Sequence, residues 1–217
     1  LAARTRRKPA SGRRPAAGQD TRRRAILRAA VEVFARKGYH GCRMSDVARE
    51  AGVAYGLVYH YFRSKDALLE TVFRAGWSGF VERLRAAAAP DQPLEQAVRG
   101  MARVVFDAWR QDPRAVRVLI LEIARSPGGR INRQGAFAEV ILLAREMFER
   151  GRARGELRVG TDPLLCAALL FGALEMGLTS FVLGLLDARD ADQMERACQQ
   201  VSDVFLHGVL APRTEAR

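Results

Sequence analysis

Residues 51–62, "AGVAYGLVYHYF", place three tyrosines, a histidine, a phenylalanine and two valines in ten consecutive positions. By propensity alone such a run reads as a strand, yet no alternating partner strand flanks it. Wound as a helix, it sorts cleanly. Val58 and Phe62 are four apart and share one side; Tyr55 with Tyr59, and Gly56 with His60, share the other. The first pair is suited to a small core. The second set presents rings, hydroxyls and an imidazole outward, beside a glycine that lets the backbone come close to a surface. A tyrosine ring can lie against a thymine methyl or a sugar while its hydroxyl reaches phosphate. The chemistry on offer is contact with a nucleic-acid duplex rather than bond making. His40, His60 and His207 have no nucleophile or carboxylate pattern around them, and no glycine loop that would cradle phosphate occurs. An enzyme is therefore not expected.

Helices must position this segment. From Thr21, Ile26, Leu27, Ala30, Val31 and Phe34 recur at helical spacing, and Lys37-Gly38 closes the helix. A short helix over 45–50 follows, with Val47 and Ala48 inward and Ser45 available as its cap. Ala51-Gly52-Val53 makes the turn before the tyrosine helix. Two short helices about a glycine turn form a helix-turn-helix. Its second helix fits a DNA major groove. Ser64 then caps a helix running to about residue 88, with Asp66 in its first turn. Further helices are predicted over 94–110, 114–125, 132–151, 163–186 and 190–210, separated by proline and glycine breaks. Asp162 and Pro163 mark the start of the penultimate one. The expected fold is all-α, with about nine helices. The expected division is a disordered basic tail (1–19), a DNA-binding domain (20–66) and a ligand-binding and dimerisation domain (67–217).

The charge distribution supports this order. The chain of 217 residues has a net charge of +12. Residues 1–24 contribute nine Arg or Lys against Asp20 alone, whereas residues 67–217 are almost neutral. A basic end on a neutral body suits a polyanion partner. The three cysteines, Cys42, Cys166 and Cys198, have neither disulfide nor metal-ligand spacing. No metal or cofactor is expected, and a reducing cytosol is.

Residues 21–69 resemble the TetR family of bacterial transcription regulators, in "ILRAAVEVFARKGYHGCRMSDVAREAGVAYGLVYHYFRSKDALL". Phe34, Gly38-Tyr39, Asp46-Val47-Ala48, Ala51-Gly52-Val53, Gly56, Tyr59, Tyr61-Phe62, Ser64-Lys65 and Leu68-Leu69 carry the likeness. The resemblance implies that Tyr55, Gly56 and Leu57 approach base edges. It also implies that Tyr59, His60 and Tyr61 meet sugar-phosphate or nearby bases, and that Lys65 meets phosphate. Tyr59 and Tyr61 could instead serve the core. The sequence departs from the family at Cys42 and Arg43, where Thr or Ser is common; Arg43 can still neutralise phosphate. Ala54 replaces a common Ser or Thr, which removes one phosphate hydrogen bond.

Residues 163–186 are apolar on every side except for Glu175. Their length permits a membrane span, but a buried helix shared by two subunits accounts for the pattern as well. Met194, Ala197, Val201, Val204, Phe205 and Val209 of the last helix offer a matching stripe. A homodimer through the last two helices is expected, with no membrane, reading two halves of a palindromic operator. The family keeps an effector cavity among the preceding helices. Trp77, Phe80, Met101, Phe106, Trp109, Phe137, Ile141, Arg145, Phe148 and Glu175 are its candidate lining, with Glu122 as a further polar group. The resulting expectation is a cytoplasmic, nucleoid-associated bacterial repressor released by a small apolar or acyl-type effector. The alternative is an effector-independent DNA-binding dimer controlled by a protein partner.

Overall fold

The computed structural model describes residues 16–120 and 133–211. The basic residues 1–15, Glu122, the expected end of the sixth helix and the break at 126–129 lie outside the described residues. Within them the chain forms α1 (Ala16–Gly41), α2 (Met44–Glu50), α3 (Tyr55–Tyr61), α4 (Lys65–Ala87) and α5 (Leu94–Gln111). There follow α6 (Pro113–Val118), α7 (Arg133–Ala153), α8 (Pro163–Val182) and α9 (Ala191–Val209). The all-α expectation holds. The single extended pairing among the described residues is a bridge between Leu157 and Leu210.

The helix ends follow local chemistry. At Gly38 the backbone leaves the helix (φ 71°, ψ 161°), so α1 is broken where the Lys37-Gly38 signal predicts. Its start is earlier than expected: residues 16–19, read as tail, already belong to α1. Helix α4 begins at Ser64, whose hydroxyl accepts from the Ala67 N–H at 3.1 Å. Asp112, Asp162 and Asp190 cap α6, α8 and α9 in the same way. The start of α2 differs from expectation. Arg43 is the N-cap, and its side chain is no acceptor. The Asp46 carboxylate instead reaches back to the Arg43 N–H at 3.0 Å, so Ser45 is not the cap. Helix α8 stops at Val182, four residues short of expectation, because Gly184 turns into the left-handed region (φ 73°).

Two hydrophobic clusters form. The first joins Ile26, Val33 and Phe34 of α1 to Val47 of α2, Val58 of α3 and Leu68 of α4. The second fills the space between α4, α5, α7, α8 and α9, around Leu84, Val98, Phe106, Phe148 and Leu170. The first does not end at residue 66. Leu69 and, from far along the chain, Val118 of α6 are buried in it. Arg114 of α6 also pairs with Glu32 of α1 at 2.6 Å. Helix α6 is thus seated on the N-terminal helices while its neighbours belong to the larger body.

Candidate DNA interface and effector cavity

In α3 the division of faces is the one the spacing predicts. Val58 and Phe62 are buried, while Tyr55 is 53% and Tyr59 42% exposed. Gly56 and His60 are exposed beside them, and Leu57 and Tyr61 are half-buried. Tyr61 packs against the first cluster, so it serves that core with part of its ring. The hydroxyls of Tyr55 and Tyr59 stand 3.3 Å apart and their rings meet edge to face at 5.0 Å. This pairing pushes the Tyr55 phenol up, through the hydrogen bond to Tyr59 first. The Tyr55 hydroxyl stays protonated and donates to that of Tyr59. A methyl group at Gly56 would meet no atom within 4 Å. Nothing inside the chain therefore requires glycine there.

The scaffold under this face is held by ions. Lys37 of α1 meets Asp46 of α2 at 2.8 Å, and Arg36 meets Glu50 at 2.6 Å. Hydrogen bonds from Lys37 and from the Arg43 N–H hold the Asp46 carboxyl below the usual carboxylate range. Gly52, at φ 64°, makes the turn between α2 and α3 that a side chain would strain. Arg43 is exposed next to the end of α1. Lys65 is placed differently from an open phosphate contact. Its ammonium donates to the Tyr39 carbonyl at 2.6 Å and to the Cys42 carbonyl at 3.0 Å, and lies 4.3 Å from the Tyr39 ring centre. The Tyr39 hydroxyl in turn bonds Asp66; burial first, and then this bond, pushes the phenol up. No spacing rule reveals this clasp, because its carbonyls lie more than twenty residues upstream.

Among the described residues, two cavities of the larger body share a wall. The inner one, of about 80 Å³, is bounded by Trp77, Phe80, Met101, Phe137, Leu170 and Glu175, among others. The outer one, of about 360 Å³, opens between α4, α5 and α6, and has Arg83 and Gln111 in its lining. Trp77, Phe80, Val105, Leu119, Ile120 and Leu178 border both. Five of the expected lining residues are therefore in place: Trp77, Phe80, Met101, Phe137 and Glu175. Five are not. Phe106 turns onto Phe181, and Phe148 onto Phe205. Trp109 is buried in the core and Ile141 packs against it. Arg145 points out of the body and pairs with Glu149 at 2.8 Å. The aromatic type announces burial, but only the helix rotation says which burial site. Leu119 and Ile120 had no signal as lining residues. They follow Val118, so the wall of the cavity continues directly into the core of the reading head.

Helix α8 is long and apolar enough to cross a membrane by length and composition. Here Cys166, Leu170, Leu174, Leu178 and Phe181 are buried in the protein body. Leu165, Leu169, Gly172 and Met176, spaced four, three and four apart, form an opposite exposed stripe. On α9 Val204 is 77% exposed. Met194 and Val209, expected on the same outer stripe, are buried within the chain instead.

With this geometry in view, likeness to known proteins is informative. Residues 26–72 match the family described as "Bacterial regulatory proteins, tetR family". The chain is a TetR-family DNA-binding regulator. The fatty acid metabolism regulator protein of Bacillus subtilis is 26% identical over 162 residues, 73% of this chain and 82% of that protein. The fatty acid degradation regulator FadR of Bacillus halodurans superposes with a TM-score of 0.76 at 25% identity, over 86% of this chain and 95% of that one. FadR from Bacillus subtilis in complex with stearoyl-CoA shares the fold, with a TM-score of 0.75 at 24% identity, over 85% and 98%. The TetR regulator thus shares most of its length with proteins named as regulators of fatty acid metabolism or degradation, and its fold with one solved with stearoyl-CoA.

Proposed function

We propose that this TetR regulator is a cytoplasmic homodimeric repressor that binds a palindromic operator and is released by an acyl-type effector. The carrying observation is the continuity between Leu119-Ile120, in the cavity wall, and Val118, in the core under α3. A ligand that widens the cavity by displacing α6 or α4 tilts the reading head. By linkage the ligand then weakens DNA binding by the factor by which DNA weakens ligand binding.

At the DNA, Tyr55, Gly56 and Leu57 approach bases, Tyr59 and His60 take sugar-phosphate, Tyr61 lies at the edge, and Arg43 neutralises phosphate. Lys65 holds the platform they stand on, with at most one N–H left for phosphate. The exposed stripe of Leu165, Leu169 and Met176 on α8, with Val204 on α9, is the face for the second subunit. The inner cavity is too small for a long chain as it stands, so the effector widens it. Its almost wholly apolar lining favours an alkyl group. The relatives that regulate fatty acid metabolism support an acyl compound, and the exposed Arg83 at the outer cavity suits an anionic carrier.

The test is footprinting of the purified protein on the DNA flanking its own gene, followed by titration with acyl thioesters of increasing chain length. Release at one range of lengths is the expected result. Unchanged operator affinity in the presence of an acyl compound that demonstrably binds would overturn the reading.

A further inference from the structure

Trp77 stands between the two cavities and borders both. Its ring is fixed on three sides: stacked on Phe73 at 5.1 Å, tilted against Phe80 at 5.6 Å, and edge-on to Phe137 at 6.0 Å. The indole N–H so held is buried and has no hydrogen-bond partner among the described residues. Buried donors are nearly always satisfied, because an unmet one loses its water without compensation. Trp77 is part of the wall of both cavities, so its N–H is met when a ligand that widens them brings an acceptor to it.

We propose that Trp77 reads the ligand, its indole N–H donating to a neutral carbonyl oxygen of an elongated apolar molecule, such as an ester, thioester or ketone. The proposal rests on the acyl-effector reading above and adds which atom of the acyl group is recognised. A carbonyl fits better than a carboxylate. Glu175 lines the inner cavity and has no cationic partner among the described residues, so an anion sharing that space is repelled. A plain hydrocarbon would fill the cavity yet leave the indole donor unmet. Trp77 therefore separates acyl compounds from alkanes of equal length.

The probes are 2-nonanone and nonane, added to the full chain. The indole N–H signals of the two tryptophans are followed by ¹⁵N–¹H correlation, that of Trp77 being the one missing from Trp77→Phe. If that variant does not fold, Trp109→Phe makes the same assignment. 2-Nonanone should shift the Trp77 N–H proton downfield and nonane should not. In Trp77→Phe, which keeps an aromatic ring but loses the N–H, affinity for 2-nonanone should fall about tenfold, the equivalent of one lost hydrogen bond. Affinity for nonane should stay within about twofold. A Trp77 signal that ignores the ketone, or an equal loss for both probes, would overturn the role of Trp77 and leave the effector cavity standing. If neither probe binds the parent protein, the acyl reading of the cavity falls with it.

Discussion

The ammonium of Lys65 donates to the backbone carbonyl of Tyr39 at 2.6 Å, and so ties the first residue of α4 to the end of α1. This tie fixes the angle between the helix that enters the effector region and the helix on which the reading head is built. Family likeness places phosphate at this lysine, while the clasp assigns it a structural task. The two have different signatures. Lys65→Met should lower stability by about 2 kcal/mol, as expected for losing charge-assisted hydrogen bonds. Among molecules still folded, the slope of log affinity against log salt should change by clearly less than one unit. A full unit lost at unchanged Tm would restore the phosphate assignment.

Gly56 separates folding from recognition. Because a methyl group there meets nothing within the chain, Gly56→Ala should leave thermal stability unchanged or slightly raised. The same change should weaken operator binding at least tenfold if backbone and duplex come into contact. Tyr59→Phe should also weaken it, since the ring stays and only the hydroxyl is lost. Equal operator affinity for Gly56→Ala and the parent would remove α3 from the groove.

Met176, 64% exposed, and Val204 test the second subunit. Neither is needed by the chain's own core. Met176→Asp combined with Val204→Asp should leave helicity intact and convert a dimer to a monomer in sedimentation. Binding to a full palindrome should fall to that of a half-site. A dimer that persists would put the interface elsewhere.

Arg114 and Glu32 pair at 2.6 Å between α6 and α1, partly exposed. Such a pair contributes at most about 1 kcal/mol to stability. Its larger effect should be on transmission. Arg114→Ala should bind effector with near-parental affinity but show a smaller ratio between operator affinities without and with effector. An unchanged ratio would mean that α4 carries the coupling alone.

Asp46 makes the head acid-sensitive. Hydrogen bonds from Lys37 and the Arg43 N–H lower its pKa in the folded state. Its stabilising contribution is then complete above the unfolded value, near about 4. It is lost as pH falls through the lower folded value. Urea unfolding at decreasing pH should show stability falling below about pH 4. Asp46→Asn should start less stable at neutral pH and lose less across that window.

Much of this arrangement was legible from residue order. Aromatic and apolar positions four apart separate the two faces of α3, and no tertiary contact can exchange them without burying Tyr55 and exposing Val58. Gly38, Ser64 and Asp162 mark breaks and caps through local geometry, which depends on neighbours within four residues. The basic N-terminal region and the neutral body are likewise written in composition. Long-range rotation and approach were not. Phe106 and Phe148 carry the same hydrophobic pattern as Phe80 and Phe137, yet only the last two border the inner cavity, because helix packing decides which way each ring turns. Lys65 finds its acceptors on backbone carbonyls, which every residue possesses and no sequence motif distinguishes. Val118 enters the core beneath the reading head only once α6 is laid across α1. Period and capping are short-range properties of the chain, whereas cavity walls and clasps exist only between elements distant along it.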